Sequence, residues 1–149
     1  MNPSEIKQAQ DHLYRLSKLY TQQDLDLVMQ QNQNITSFGL SHPSHPRYVQ
    51  ERVDLKNSLV EFQLACAFLS NCKRTKAINY KNSLSYWLKH RLEGFIRPQY
   101  ISNGAIIVAA DCLGIKYVED RSNPSNVWLA ISKDIPITDD MNEMARSMR

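Results

Sequence analysis

Ser102-Asn103-Gly104-Ala105-Ile106-Ile107-Val108-Ala109-Ala110-Asp111-Cys112-Leu113-Gly114 decides how this chain is put together. Ser102 or Asn103 suits a helix N-cap, and Gly114 suits the residue just past a helix end. Between them Ala105 to Ala110 carry no polar side-chain atom. A helix apolar on every side belongs in the interior, so the rest of the chain must wrap around this one. Its alanines let neighbouring elements approach closely. Asn103 and Asp111 are its main polar groups.

Downstream of Gly114 the pattern becomes strand-like. Ile115 to Glu119 and Val127 to Ile131 flank Arg121-Ser122-Asn123-Pro124-Ser125-Asn126, a run of turn formers. This predicts a β-hairpin. The tail from Thr138 carries Met141, Met144 and Met148 and predicts a short amphipathic helix. It can complete the core or meet a partner.

Upstream, residues 73–97 hold seven bases against one acid: Lys73, Arg74, Lys76, Lys81, Lys89, Arg91 and Arg97 against Glu93. The whole chain has a net charge of only +3, so the excess is local. Tyr80, Tyr86, Trp87, Phe95 and Tyr100 are interleaved with it. Cys72 to Ile78 reads as a basic connector, followed by a helix capped by Asn82 or Ser83. Leu84, Trp87, Leu88 and Leu92 form its expected buried stripe. Lys81, Ser85 and Lys89 recur every four residues and are expected on a solvent-facing side.

Nearer the start, Asn2-Pro3-Ser4-Glu5 is a helix start with a cap, a first-turn proline and an acid that can reach back. Ile6, Ala9, Leu13, Leu16 and Tyr20 then mark one apolar face. A second helix is expected from Thr21 with Leu25, Val28 and Met29, ending in the polar run Gln30 to Asn34. Ser41-His42-Pro43-Ser44-His45-Pro46 excludes helix and reads as a linker without metal ligands. One long helix is expected from Arg47 to Asn71. Val49, Val53, Val60, Leu64, Ala67 and Phe68 lie on one side of it, widened by Leu55, Leu59 and Phe62.

The expectation is therefore one α+β domain, mostly α. N-terminal helices occupy 1–40, core helices 47–114, a C-terminal hairpin 115–131 and a tail 132–149. Four or five helices pack around those beginning near Arg47 and Ser102. The length of 149 residues, the 42% apolar content and the four glycines fit such a fold. No apolar run approaches the roughly 20 residues that span a bilayer. The first residues lack the pattern of a secretory signal. Cys66, Cys72 and Cys112 have no ligand-like spacing and point to buried thiols in a reducing cytoplasm.

The order helix, turn, helix, hairpin resembles the end of a winged helix, whose second helix enters a DNA groove. Here that helix has almost no side chain able to read a base or grip a phosphate. The candidate surface is instead Lys73, Arg74, Lys76, Lys81, Ser85, Lys89, Arg91 and Arg97. Asn82 adds hydrogen-bonding capacity, and Tyr80, Tyr86 and Tyr100 can stack on unpaired bases. Seven phosphate contacts on a duplex predict a log–log salt slope of about −6. No phosphate loop, nucleophile elbow or zinc spacing is present. His90 and Glu93 can pair, and a surface ion pair is the simpler reading of them. The expected protein is non-enzymatic and takes no cofactor.

Ser85-Tyr86-Trp87-Leu88-Lys89-His90 with Glu93 is followed by Tyr100-Ile101-Ser102-Asn103-Gly104, Ala109-Ala110 and Leu113-Gly114. Over residues 79–131 this resembles small uncharacterised bacterial proteins of plasmids and phage-like mobile elements. Those proteins have glycine where this chain has Trp87. The resemblance implies a setting and no activity. In that setting the expected role is a nucleic-acid-binding or regulatory protein of the element. The alternative is an inhibitor of a host defence complex, anti-CRISPR-like, that binds a nucleic-acid-processing assembly.

Overall fold

The computed structural model describes residues 1–148. Seven helices and two antiparallel strand pairs make up the described residues, an α+β fold that is mostly α. The helix count exceeds the expected four or five. One reason is the segment 47–71, which forms two helices in place of one. Helix α1 spans Pro3–Ser17 and α2 Gln22–Gln31. A two-stranded pair follows, β1 (Ile35–Thr36) with β2 (Gly39–Leu40). Then come α3 (Tyr48–Lys56), α4 (Leu59–Ser70), α5 (Ser85–Phe95) and α6 (Asn103–Cys112). The hairpin β3 (Tyr117–Glu119) and β4 (Val127–Leu129) and the helix α7 (Asp139–Ser147) complete the chain.

The caps expected at Asn2 and Ser102 form, and further caps appear at Thr21 and Thr138. Asn2 Oδ1 accepts the Glu5 N–H at 2.9 Å, and Pro3 occupies the first turn of α1. Thr21 and Asp24 exchange a reciprocal capping box. Ser102 Oγ accepts the Ala105 N–H at 3.0 Å, and Thr138 Oγ1 accepts that of Met141. Gly114 has a φ of 71°, the left-handed conformation glycine favours past a helix end.

The long helix expected over 47–71 is broken at Asn57-Ser58. Ser58 Oγ donates to the Asp54 carbonyl at 2.6 Å, a back-bond that competes with the helical ladder. The break lets α3 and α4 present different sides to the core. Val49, Val53 and Val60, expected on the apolar side, are exposed, Val49 by 72%. Leu55, Phe62, Leu64, Ala67 and Phe68 are buried. α3 is held partly by Arg52, whose guanidinium donates to the carbonyls of Met29, Asn32 and Ile35, each at 3.0 Å. These carbonyls lie at and beyond the end of α2, where a cation is favoured.

α6 lies at the centre, buried from Asn103 to Ala110, against α4, α2 and α5. Its first turn touches the β1–β2 turn backbone to backbone: Gly104 N–H donates to Ser37 O at 3.1 Å. α7 closes the far side against α5 and α1, with Met141 and Met144 against the core and Met148 exposed. No described helix is long and apolar enough to cross a membrane.

All three cysteines are free. Burial raises the Cys66 thiol and pushes that of Cys72 up to about 12. Iodoacetamide at pH 8 should therefore leave Cys66 and Cys72 unmodified in the native protein and alkylate all three cysteines in denaturant. Mass spectrometry of tryptic peptides reads this. Rapid native labelling of either buried thiol contradicts the packing.

Candidate functional site

The connector before α5 is part of the hairpin's sheet. Thr75 N–H donates to Ala130 O at 2.9 Å and Asn79 N–H to Leu129 O at 3.1 Å; Ser132 N–H returns to Lys73 O at 2.8 Å. Ala130 N–H donates in turn to Lys116 O. Connector, β4 and β3 thus lie side by side as a three-stranded ribbon. Leu129 and Ile131 are buried, which fixes the inner face. Strand alternation then sends Trp128, Val118, Lys116 and Lys73 to the outer face. Tyr80 lies there too, its ring centroid 6.1 Å from that of Trp128. The two rings, Val118, Arg121 and Ser122, with Glu119 and Asp120 at the hairpin turn, line an open depression of about 650 Å³.

Of the eight expected site residues, four lie on or beside the ribbon: Lys73, Arg74, Lys76 and Lys81, all exposed and in no ion pair among the described residues. Arg74, opposite Ile131, projects to the other face from Lys73. Arg97 is also exposed but sits past the far end of α5, an eleven-residue helix about 16 Å long. Arg91 is engaged: its Nη2 is 2.6 Å from Asp139 Oδ1, it donates to Ile137 O, and it lies over the Trp87 ring at 4.6 Å.

Ser85 and Lys89 correct the sequence reading most sharply. Both were expected in solvent beside Lys81; Ser85 is 0% and Lys89 6% exposed. Trp87, expected inside, is 38% exposed. The helix also starts later than Asn82 or Ser83, at Ser85, with Leu84 at its cap position and no side-chain cap. The cause is the hairpin. Ser83 Oγ accepts the Leu129 N–H at 2.9 Å, and Ser85 Oγ accepts the Val127 N–H at 3.0 Å. The Ser85 hydroxyl satisfies a buried strand donor, and the Leu129 N–H is shared between Ser83 Oγ and the Ser83 carbonyl. Serving β4 withdraws Ser83 from capping and Ser85 from solvent.

With Ser85 turned toward β4, Lys89 one turn later faces a cleft between α5, the start of α6, the β1–β2 turn and the hairpin loop. Its ammonium is 3.0 Å from Glu93 Oε1 and lies 4.8 Å from the Tyr100 ring centroid and 5.7 Å from that of Tyr86. Glu93 also takes His90 Nδ1 at 3.2 Å, the expected His–Glu pair, and accepts the Ile101 N–H. Asn103 lines the same cleft. Its Nδ2 faces Phe38 O and Ser125 O at 3.1 Å and Asn126 Oδ1 at 3.0 Å, while its Oδ1 has no donor. A neighbouring depression beyond Tyr100 contains Glu61, whose carboxyl is raised by burial against the lowering effect of the Ser102 N–H it accepts.

Sequence reasoning missed Lys116, Trp128 and Phe38. Lys116 and Trp128 were recoverable from hairpin alternation. Phe38 was not, because the two-residue strands β1 and β2 leave no periodic signal. Comparison with family models, with curated proteins and with solved structures finds no match to this chain.

Proposed function

We propose that the protein binds single-stranded nucleic acid on the outer face of the ribbon, without catalysis. The observation that carries this is one face holding lysines without ion-pair partners beside an exposed Tyr80 and a half-buried Trp128. Lys73 and Lys116 on that face, with Lys76 and Lys81 beside it, supply sequence-independent attraction to phosphates, and the two rings supply stacking platforms. A duplex fits less well. The central α6 is buried, and the outward residues of α5 include Tyr86, Trp87 and His90 and no free cation. The setting, regulation or replication of a mobile element, rests on the resemblance of residues 79–131.

Mobility of a labelled mixed-sequence 20-mer tests the reading. The double substitution Lys73→Glu with Lys116→Glu should weaken single-strand binding at least ten-fold at low salt. Arg97→Glu, at the far end of α5, should change it less than three-fold. Equal losses from both variants contradict the ribbon as the interface. An inhibitor acting by protein–protein contact would instead leave the 20-mer unshifted by the wild-type protein.

A further inference from the structure

We infer that the cleft beside the ribbon receives one unpaired nucleobase, an inference that rests on the single-strand reading above. The cleft has a volume of about 180 Å³. On the same measure a single water needs only about 10–15 Å³, so there is room for a ring system. Three exposed rings surround it: Phe38 at 62%, Tyr86 at 50% and Tyr100 at 59%. Large exposed aromatic rings converging on one concavity supply faces for stacking.

The polar groups select the ligand class. Lys89 is the only cation lining the cleft among the described residues, and Glu93 already compensates it at 3.0 Å. A phosphate would compete with that carboxylate, so the occupant is uncharged. Asn103 adds no charge: its amide nitrogen is held by Phe38 O, Ser125 O and Asn126 Oδ1, and its Oδ1 is buried. A flat neutral ring that stacks on the aromatic faces meets these conditions, and a nucleobase is such a ring.

The cleft also continues the ribbon. Lys81 beside the ribbon and Tyr86 in the cleft are five residues apart, so their backbones are at most about 17 Å apart. The hairpin loop runs between the two areas, with Arg121 and Ser122 toward the ribbon depression and Asn123 and Ser125 toward the cleft. A strand held by the ribbon phosphates therefore has a nearby place for one base.

The test uses the full chain, an oligothymidylate carrying a single 2-aminopurine, and free neutral nucleosides followed by ¹H–¹⁵N chemical shifts. The expected results are a change in 2-aminopurine fluorescence on binding and nucleoside-induced shifts at Tyr86, Tyr100 and the Asn103 side-chain amide. Tyr100→Leu, a change at an exposed ring, should remove the fluorescence change and weaken the oligonucleotide about ten-fold. Lys73→Glu with Lys116→Glu should weaken the oligonucleotide and leave the nucleoside shifts intact. Oligonucleotide binding unaffected by Tyr100→Leu, with no nucleoside shifts, overturns the cleft proposal and leaves the ribbon reading standing. Nucleoside shifts at the cleft without oligonucleotide binding overturn the ribbon reading and keep the cleft. Silence from both probes overturns both.

Discussion

Gly104→Ala is expected to be among the most damaging single-methyl changes in this protein. A Cβ at Gly104 would lie 1.8 Å from Thr36 O, 2.7 Å from Thr36 C and 2.9 Å from Ser37 Cα. All three are backbone atoms of the β1–β2 turn, so no side chain can rotate away. The Gly104 N–H to Ser37 O bond ties the same surfaces together, and shifting the turn breaks it. Overpacking a core by a methyl group usually costs about 1–3 kcal/mol, and a backbone-on-backbone collision exceeds that range. At this chain length each kcal/mol is worth about 2–4 °C, so the thermal midpoint should fall by roughly 10 °C or more. Gly114→Ala is the control. Gly114 has positive φ, but the nearest atom to an added Cβ is Arg74 Nη1 at 3.8 Å. That variant should lose only about 1–2 kcal/mol, from backbone conformation alone. Circular dichroism melts of the two variants decide it. Equal losses contradict the close approach of α6 to the β1–β2 turn.

Glu93→Ala should come next. The Lys89 side chain is 7% exposed and Glu93 is its carboxylate partner. Removing one member of a buried pair leaves the other charge uncompensated, at a cost of about 3–5 kcal/mol. Glu93 also accepts the Ile101 N–H, which joins the end of α5 to the approach to α6. Lys89→Met should cost less. It leaves Glu93 partly exposed and still bonded to Ile101, and the methionine chain can fill the lysine's path. Denaturant melts should rank Glu93→Ala below Lys89→Met, and Lys89→Met below wild type. If Glu93→Ala proves the milder change, Lys89 is not held as a buried ion.

Local chemistry made the helix starts legible. Asn2 with Pro3 and Ser102 ahead of Ala105 each need only their own neighbours, so spacing alone identifies them. The central position of α6 was legible because a helix without a polar side has nowhere else to go. The faces of α5 were not. Periodicity correctly paired Leu88 with Leu92 and separated Lys89 from them. It cannot tell that β4, docked on the first turn, covers the polar side as well. Ser85 therefore looks like a surface serine in sequence and serves as a partner to the Val127 N–H in the fold. Lys89 follows it inward because Glu93, four residues on, makes burial tolerable. The break at Ser58 has the same character. A serine bonding back to Asp54 O is one of several conformations such a residue adopts, and tertiary packing selects it.

The candidate site was half legible for a related reason. Charge density marked the connector, but strand register sends Lys73 and Arg74 to opposite faces of it. Charge density alone does not separate a lysine in solvent from one beneath two tyrosines. Nor does it see Lys116, which reaches the face of Lys73 only through strand pairing.

The most direct test of the account is the salt dependence of single-strand affinity, measured by fluorescence anisotropy with a labelled 20-mer over increasing salt. Four phosphate contacts from Lys73, Lys76, Lys81 and Lys116 predict a log–log slope of about −2.8, at about −0.7 per contact. The Lys73→Glu with Lys116→Glu variant should flatten it by at least two contacts' worth. A slope near zero for the wild-type protein, or no measurable binding at low salt, contradicts the ribbon as a polyanion-binding surface.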